Sequence, residues 1–353
     1  MTVSLTIKDI AALAGVSTAT VSRVFSNEGY VSEGTREKIL KIAEENNFTV
    51  RKYGRKVKRS GIYGCIIGVV VPDINNAYYS EVVLGMEDVL DKHNITVMVC
   101  GTNENHGKEI KILDALRNLN VDGIVIAPVS SAVEYNKEYL IDLDKNSIPV
   151  VLLDRDVLGA QMDGVFMDNY NGAYQSIQTL IDNGHRDIAF IAGPMTSSSA
   201  LDRFNAYSAA LKANNIPLNE EYILYGDFKA KSAYDLTKKL VERHTKVTAI
   251  FSSNRKMSSG SLMVLAEKGL RIGEDISFIS CGCIDYHESN ITYVDYPTLD
   301  IGRECANILV KRIAQGKRSS SAKARITYGM NLVLKGSEKL ANGKIPRKQC
   351  VKK

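Results

Sequence analysis

The chain has 353 residues, 44% of them hydrophobic and 24% charged, with a net charge of +5. That length exceeds one ordinary core and predicts two or three folding units, and that composition excludes wholesale disorder. No apolar run approaches the roughly 18 residues of a membrane span, the longest being Ile66 to Val71. Met1 to Leu5 lead straight into a helix signal with no basic or apolar leader region, so no secretion signal is expected. Cys65, Cys100, Cys281, Cys283, Cys305 and Cys350 fit neither a disulfide framework nor paired zinc spacing, which suits a reducing cytoplasm. Eleven basic and six acidic side chains fall within residues 1–60, so the whole positive excess sits there. Such asymmetry is the footprint of a nucleic-acid-binding head or of a solvated basic tail.

Residues 1–47 read as three short helices. Thr6 is placed to cap the first, with Asp9 as its capping-box partner and Ile7, Ile10, Ala11 and Ala14 as the apolar stripe. Gly15 ends it. Ser17 caps a second helix carrying Val21 and Val24, and Ser32 caps a third carrying Ile39, Ile42 and Ala43. From Asn46 to Gly61 periodicity fails and basic residues dominate, which predicts a linker. From Cys65 onward, buried-strand candidates alternate with amphipathic helices. They are Cys65–Val71, Thr96–Cys100, Gly123–Ala127, Val150–Leu153, Ile188–Ala192, Thr248–Phe251 and Ile276–Ser280. This alternation predicts α/β architecture: parallel sheets with right-handed crossovers, and two of them, since about 290 residues exceed one α/β domain.

The strongest local signal is Ile7 to Ser26. A helix-turn-helix needs a small residue where the helices cross, here Ala11, and a residue tolerating positive φ in the turn, here Gly15. Val16, Val21 and Val24 would lock the second helix; an unrelated three-helix mini-domain shares this pattern. In helix-turn-helix geometry Thr18 and Ala19 face base edges, and Arg23, one turn on, reaches a guanine with both guanidinium nitrogens. Ser17, Ser22, Asn27, Ser32 and Thr35 suit phosphate contacts, and equally suit plain helix capping.

The run "TIKDIAALAGVSTATVSRVFSNEGYVSEGTREKIL" resembles the head of the LacI/GalR family of bacterial repressors. The resemblance continues colinearly through "IIGVVVPDINNAYYSEVVLGME", "VDGIVIAP", "IPVVLLDR", "MDNYNGAYQSIQTLIDNGHRDIAFIAGP" and "AEKGLRIGEDIS", covering residues 5–335. It implies a head at 1–47, a hinge at 48–61 and a periplasmic-binding-protein-like core of doubly wound parallel sheets at 62–340. Lobe one would be about 62–163 and 295–325, lobe two about 164–294 and 326–340, with a basic tail at 341–353. It also implies a cytoplasmic, nucleoid-associated homodimer on a pseudo-palindromic operator, with a small effector between the lobes. By family position Tyr79, Asp168, Ser199, Arg203, Phe228 and Asn254 should line that pocket. The hinge would place Arg51, Lys52 and Arg55 on phosphates and Val57 in the minor groove.

Two departures stand out. The hinge lacks the usual proline and carries Gly54, which costs a helix about 1 kcal/mol relative to alanine. In the core, Arg255 follows Asn254 where the family usually has aspartate, and Gly282 replaces the aspartate that chelates sugar hydroxyls. A neutral hexose is therefore not the expected effector; an anionic ligand, a protein partner or an inert cleft stays open. Cys281 and Cys283 lack further ligands for a metal, and His185 reads as structural. No G-x-S-x-G, H-E-x-x-H or phosphate loop is present, so neither an enzyme nor a cofactor is expected. The expectation is an effector-modulated repressor. The rivals are a regulator with a degenerate cleft, constitutive or controlled by a protein partner, and a sugar-processing enzyme with an accessory head.

Overall fold

The computed structural model describes residues 6–26, 29–45, 65–130, 136–145, 148–243, 246–284, 290–315 and 322–339. The chain divides into two units, residues 1–59 and residues 60–353, and each is described by itself.

The first unit holds α1 (Ile7–Ala14), α2 (Thr18–Ser26) and α3 (Glu33–Glu45). The Thr6 side chain accepts from the Asp9 amide while the Asp9 carboxylate takes the Thr6 N–H at 2.7 Å, a complete capping box. Gly15 closes α1 at φ +68°, a left-handed conformation that admits glycine without penalty. The Thr20 amide then donates to the Ser17 hydroxyl at 3.1 Å, so Ser17 caps α2. Ile10, Ala11, Ala14, Val21, Val24 and Ile39 form the core of this unit. Hinge residues Arg51, Lys52, Arg55 and Val57, together with Asn27 and the tail from residue 340, lie outside the described residues.

Among the described residues the second unit contains two six-stranded sheets. The first comprises β1 (Ile66–Val71), β2 (Thr96–Gly101), β3 (Gly123–Ile126), β4 (Val150–Leu153), β5 (Asp163–Met167) and β11 (Arg325–Tyr328), ordered β11-β5-β4-β3-β1-β2. The second comprises β6 (Ile188–Ala192), β7 (Ile223–Tyr225), β8 (Ala249–Ser252), β9 (Ser277–Cys281), β10 (Thr292–Asp295) and β12 (Asn331–Val333), ordered β12-β10-β9-β8-β6-β7. Among the described strands, all pairings are parallel except β10 with β12. The central strands β1, β3, β4, β6 and β8 are apolar nearly throughout because helices cover both faces of each sheet. The helices are α4 (Ala77–Leu90), α5 (His106–Asn118), α6 (Lys137–Lys145), α7 (Asn169–Asp182), α8 (Ser198–Ala213), α9 (Ala230–Glu242), α10 (Arg255–Glu267) and α11 (Thr298–Gln315). Asn76, Asn105, Asp168 and Asn254 cap α4, α5, α7 and α10 with their side chains. No described helix is long and apolar enough to cross a membrane.

Among the described residues the chain passes between the sheets at Asp168, between Asp295 and Thr298, and between Tyr328 and Asn331. The expected lobe limits at 163 and 325 were too early: β5 and β11 pair with each other in the first sheet, Gly164 against Arg325 through Met167 against Tyr328. Asp163 and Gly164 hide the strand in the sequence. The acid is tolerated at full burial because Arg312 grips both its oxygens, at 2.7 and 2.9 Å, and the Ala324 amide donates at 2.7 Å.

Candidate functional sites

In the first unit Val21 and Val24 are buried, which turns the opposite face of α2 outward. Thr18 and Ala19 are exposed in its first turn, Ser22 is half-buried, and Arg23 is exposed one turn on. Ser17 is spent on the cap, sharing its hydroxyl with Thr20 at 2.9 Å. At the start of α3 the hydroxyls of exposed Ser32 and half-buried Thr35 meet at 2.8 Å. Short polar groups thus flank a helix that presents Thr18, Ala19, Ser22 and Arg23 on its outer face, the arrangement that fits a major groove.

In the second unit a cavity of about 500 Å³ opens between the lobes at the carboxyl ends of the strands. Tyr79, Ser199, Arg203, Phe228 and Asn254 line it, as their family positions imply. Asp168 does not. Its carboxylate caps α7, accepting from the Asn171 amide at 3.0 Å and the Asn171 side chain at 2.6 Å. The neighbouring Asn169 takes its place beside the guanidinium, accepting from Arg203 Nη2 at 2.6 Å.

Arg203 is buried and its hydrogen-bond partners are neutral: besides Asn169, Nη1 donates to the Ser253 carbonyl at 2.8 Å, and Nε donates to no described atom. Across the cleft, Asp154 sits at φ +62° after β4, its carboxyl reached by the Tyr79 phenol at 3.4 Å. Burial raises the Asp154 carboxyl above its ordinary range, against the pull of Arg155 and Arg203. Arg155 donates to both oxygens of Glu104 at 2.7 and 2.8 Å. Its guanidinium also covers the Phe228 ring, 5.3 Å from the centroid. Phe228 therefore offers that face of its ring to Arg155.

The two departures within the core, Gly282 and Arg255, now have partners. Gly282 lies at φ +99°, and a Cβ there would stand 2.6 Å from the Tyr296 hydroxyl oxygen. A phenol fills the space where the family pattern leads one to expect a carboxylate. Arg255 donates from Nε to the Cys283 carbonyl and approaches Glu81 of lobe one at 3.5 Å. Burial pushes the Cys281 thiol up, so it is a poor thiolate, and no metal-binding cluster occurs among the described residues. Sequence reasoning missed Glu104, Arg155 and Tyr296. Arg155 and Glu104 follow the carboxyl ends of β4 and β2, where α/β sheets bind ligands, a signal that could have found them, whereas Tyr296 sits at a lobe crossing that only the fold reveals.

Residues 6–50 match the model of the family "Bacterial regulatory proteins, lacI family". Residues 65–335 match "Periplasmic binding proteins and sugar binding domain of LacI family". The chain belongs to the LacI family. The HTH-type transcriptional repressor PurR of Vibrio vulnificus is 34% identical over 312 residues, 87% of this chain and 92% of that protein. Among solved structures, a transcriptional regulator CelR–cellobiose complex is 28% identical with a TM-score of 0.68, covering 94% of this chain and 98% of that one. A Lac repressor dimer bound to operator, 23% identical with a TM-score of 0.67 over 95% and 99% of the two chains, shares the fold. This LacI-family chain is a DNA-binding transcription regulator with a repressor's head and an effector-binding core, and its relatives are regulators, not enzymes.

Proposed function

We propose that this protein represses transcription as a homodimer on a pseudo-palindromic operator, and that a small molecule in the inter-lobe cleft sets its affinity for that site. The observation that carries the DNA half is the outer face of α2, where Thr18, Ala19, Ser22 and Arg23 share one side of a helix fixed by Val21 and Val24. Asn27, Ser32 and Thr35 set its register on phosphates, and the basic hinge residues Arg51, Lys52 and Arg55 add charge, with Val57 as the wedge. Support for pairing comes from lobe one: Met98 and Val99 are exposed on the free edge strand β2, beside Ile66 of β1, and Leu84 is exposed on α4.

The effector half rests on Tyr79, Ser199, Arg203, Phe228 and Asn254, supported by the unpartnered Nε of Arg203 and carboxyl oxygen of Asp154. Buried polar atoms without partners are costly and mark places a ligand satisfies. Ligand-driven change in the lobe angle then moves the two heads of the dimer. Gly282 removes the family's hydroxyl-chelating aspartate at that strand end and the Tyr296 phenol fills its space, so a neutral hexose is disfavoured. The protein acts on DNA in the cytoplasm.

Selection of bound sequences from random DNA with the full chain tests this reading. The expected product is two inverted half-sites about 10 bp apart or a multiple of it; an unenriched pool overturns it. Thermal shift with cellobiose, glucose and galactose should show no micromolar binding, and a micromolar response would reject the argument from Gly282.

A further inference from the structure

On lobe two the first turns of α9 and α10 lie side by side. Asn254, the cap of α10, donates its side-chain amide to the Phe228 carbonyl at 3.1 Å, and Gly260 meets the Ala230 backbone with no room for a Cβ. Lys229, the cap position of α9, therefore stands beside Arg255 and Lys256 of α10, and all three line the cavity. Both helix N-termini add positive potential there.

The carboxylates facing these cations come from both lobes. Asp227 of lobe two accepts from the Lys229 amide at 3.0 Å. From lobe one, Asp73 pairs with Lys256, while Glu81, which also accepts from the Thr298 hydroxyl at 2.7 Å, faces Arg255. Asp227 offsets one of the three positive charges, and the two lobe-one carboxylates match the rest. Deeper in the same cavity, the Nε atoms of Arg155 and Arg203, both more than nine-tenths buried, donate to nothing described. These are unspent donors lining a cavity whose lobe-two rim carries three cations, met by carboxylates of lobe one.

We propose that Lys229, Arg255 and Lys256 form an anion subsite at the cleft rim, occupied in this structure by Asp73 and Glu81. The effector then carries a dianionic group, such as a phosphate monoester, that displaces them. The proposal rests on the cleft being the effector site. It makes the bridging carboxylates of lobe one a built-in competitor, so ligand capture and release of this rim are one event. The pairs keep part of their surface in water, where ion pairs are weak, so a diffusible anion competes with them on near-equal terms. A phosphate monoester carries close to two negative charges near neutral pH, the charge the two carboxylates supply.

Calorimetric titration of the full chain with inorganic phosphate, at ionic strength held constant with chloride, tests this. Wild type should bind at millimolar Kd. The double variant Asp73→Asn/Glu81→Gln, freed of the internal competitor, should bind at least fivefold tighter. Arg255→Gln/Lys256→Gln should bind at least tenfold more weakly. Absence of phosphate binding in both wild type and the Asn/Gln variant overturns the proposal, as does an Asn/Gln variant no tighter than wild type. Undiminished binding by the Arg255/Lys256 variant also overturns it, since the phosphate then sits elsewhere, as on the basic stretch 51–59. Sequence-selective operator binding by wild type without phosphate is measured alongside. Its loss counts against the regulator reading and leaves the anion result standing by itself.

Discussion

The head and the cleft place their functional side chains in opposite settings. In the head, Thr18, Ala19 and Arg23 belong to one nine-residue helix and point to solvent, so neighbours in sequence decide what the surface offers. In the cleft, Arg155 meets Glu104 across 51 residues, Arg203 meets Ser253 across 50, and Lys256 meets Asp73 across 183. Those groups are largely buried, and each is held by a partner from another element. Changes in the head should therefore alter binding and spare the fold, whereas changes in the cleft should alter both.

The largest expected effect is on the cleft side. Arg155→Met removes a guanidinium that is 3% exposed and strands Glu104. Breaking a buried pair from one side costs about 3–5 kcal/mol. Glu104 keeps 22% of its side chain exposed, which puts the expected loss near the low end of that range. Urea unfolding of the variant checks it; a loss under about 1 kcal/mol would mean the pair is not holding the lobe.

Next comes the head. Arg23→Ala should weaken specific operator binding by about 1–3 kcal/mol per half-site and relax the preference at one base position, with weak non-specific binding retained. Its unfolding midpoint should stay at the wild-type value. A selected motif and affinity unchanged from wild type would remove Arg23 from base recognition; a lowered midpoint would erase the contrast with the cleft.

The same contrast explains what could be read without a structure. The caps at Thr6 and Ser17, the left-handed turn at Gly15 and the inward valines follow from residues a few positions apart, and all take their expected places. Five of the six expected cleft residues line the cavity because the family pattern carries their positions. Asp168 departs because a carboxylate just before a helix is claimed by that helix's free amides. The covering of Phe228 by Arg155, the phenol of Tyr296 above Gly282 and the pairing of Arg255 with Glu81 depend on where the lobes meet, which no short pattern encodes. The short strands β7, β10, β11 and β12 were missed for a related reason. They are three or four residues long, and β10, β11 and β12 are polar in part, so sheet pairing defines them.

The smallest expected effect is the most local. Thr6 and Asp9 satisfy two free donors at the start of α1, and replacing a capping threonine by alanine costs about 1 kcal/mol. Thr6→Ala should therefore speed amide exchange at Ile10 and Val21 and leave Ile67 and Val125 of the core unmoved. The pH dependence carries a sign. Hydrogen bonds from the Thr6 side chain, then its backbone, hold the Asp9 carboxyl below its ordinary value. A carboxyl lowered in the folded state contributes its stability fully above the unfolded pKa, near 4, and loses it as pH falls through the folded value. Head exchange in wild type should accelerate as the pH drops below about 4, beyond the intrinsic trend, and Thr6→Ala should lose part of that acceleration. If Ile67 and Val125 respond as strongly as Ile10, the capping box is not a local device and the division between a locally specified head and a globally specified cleft fails.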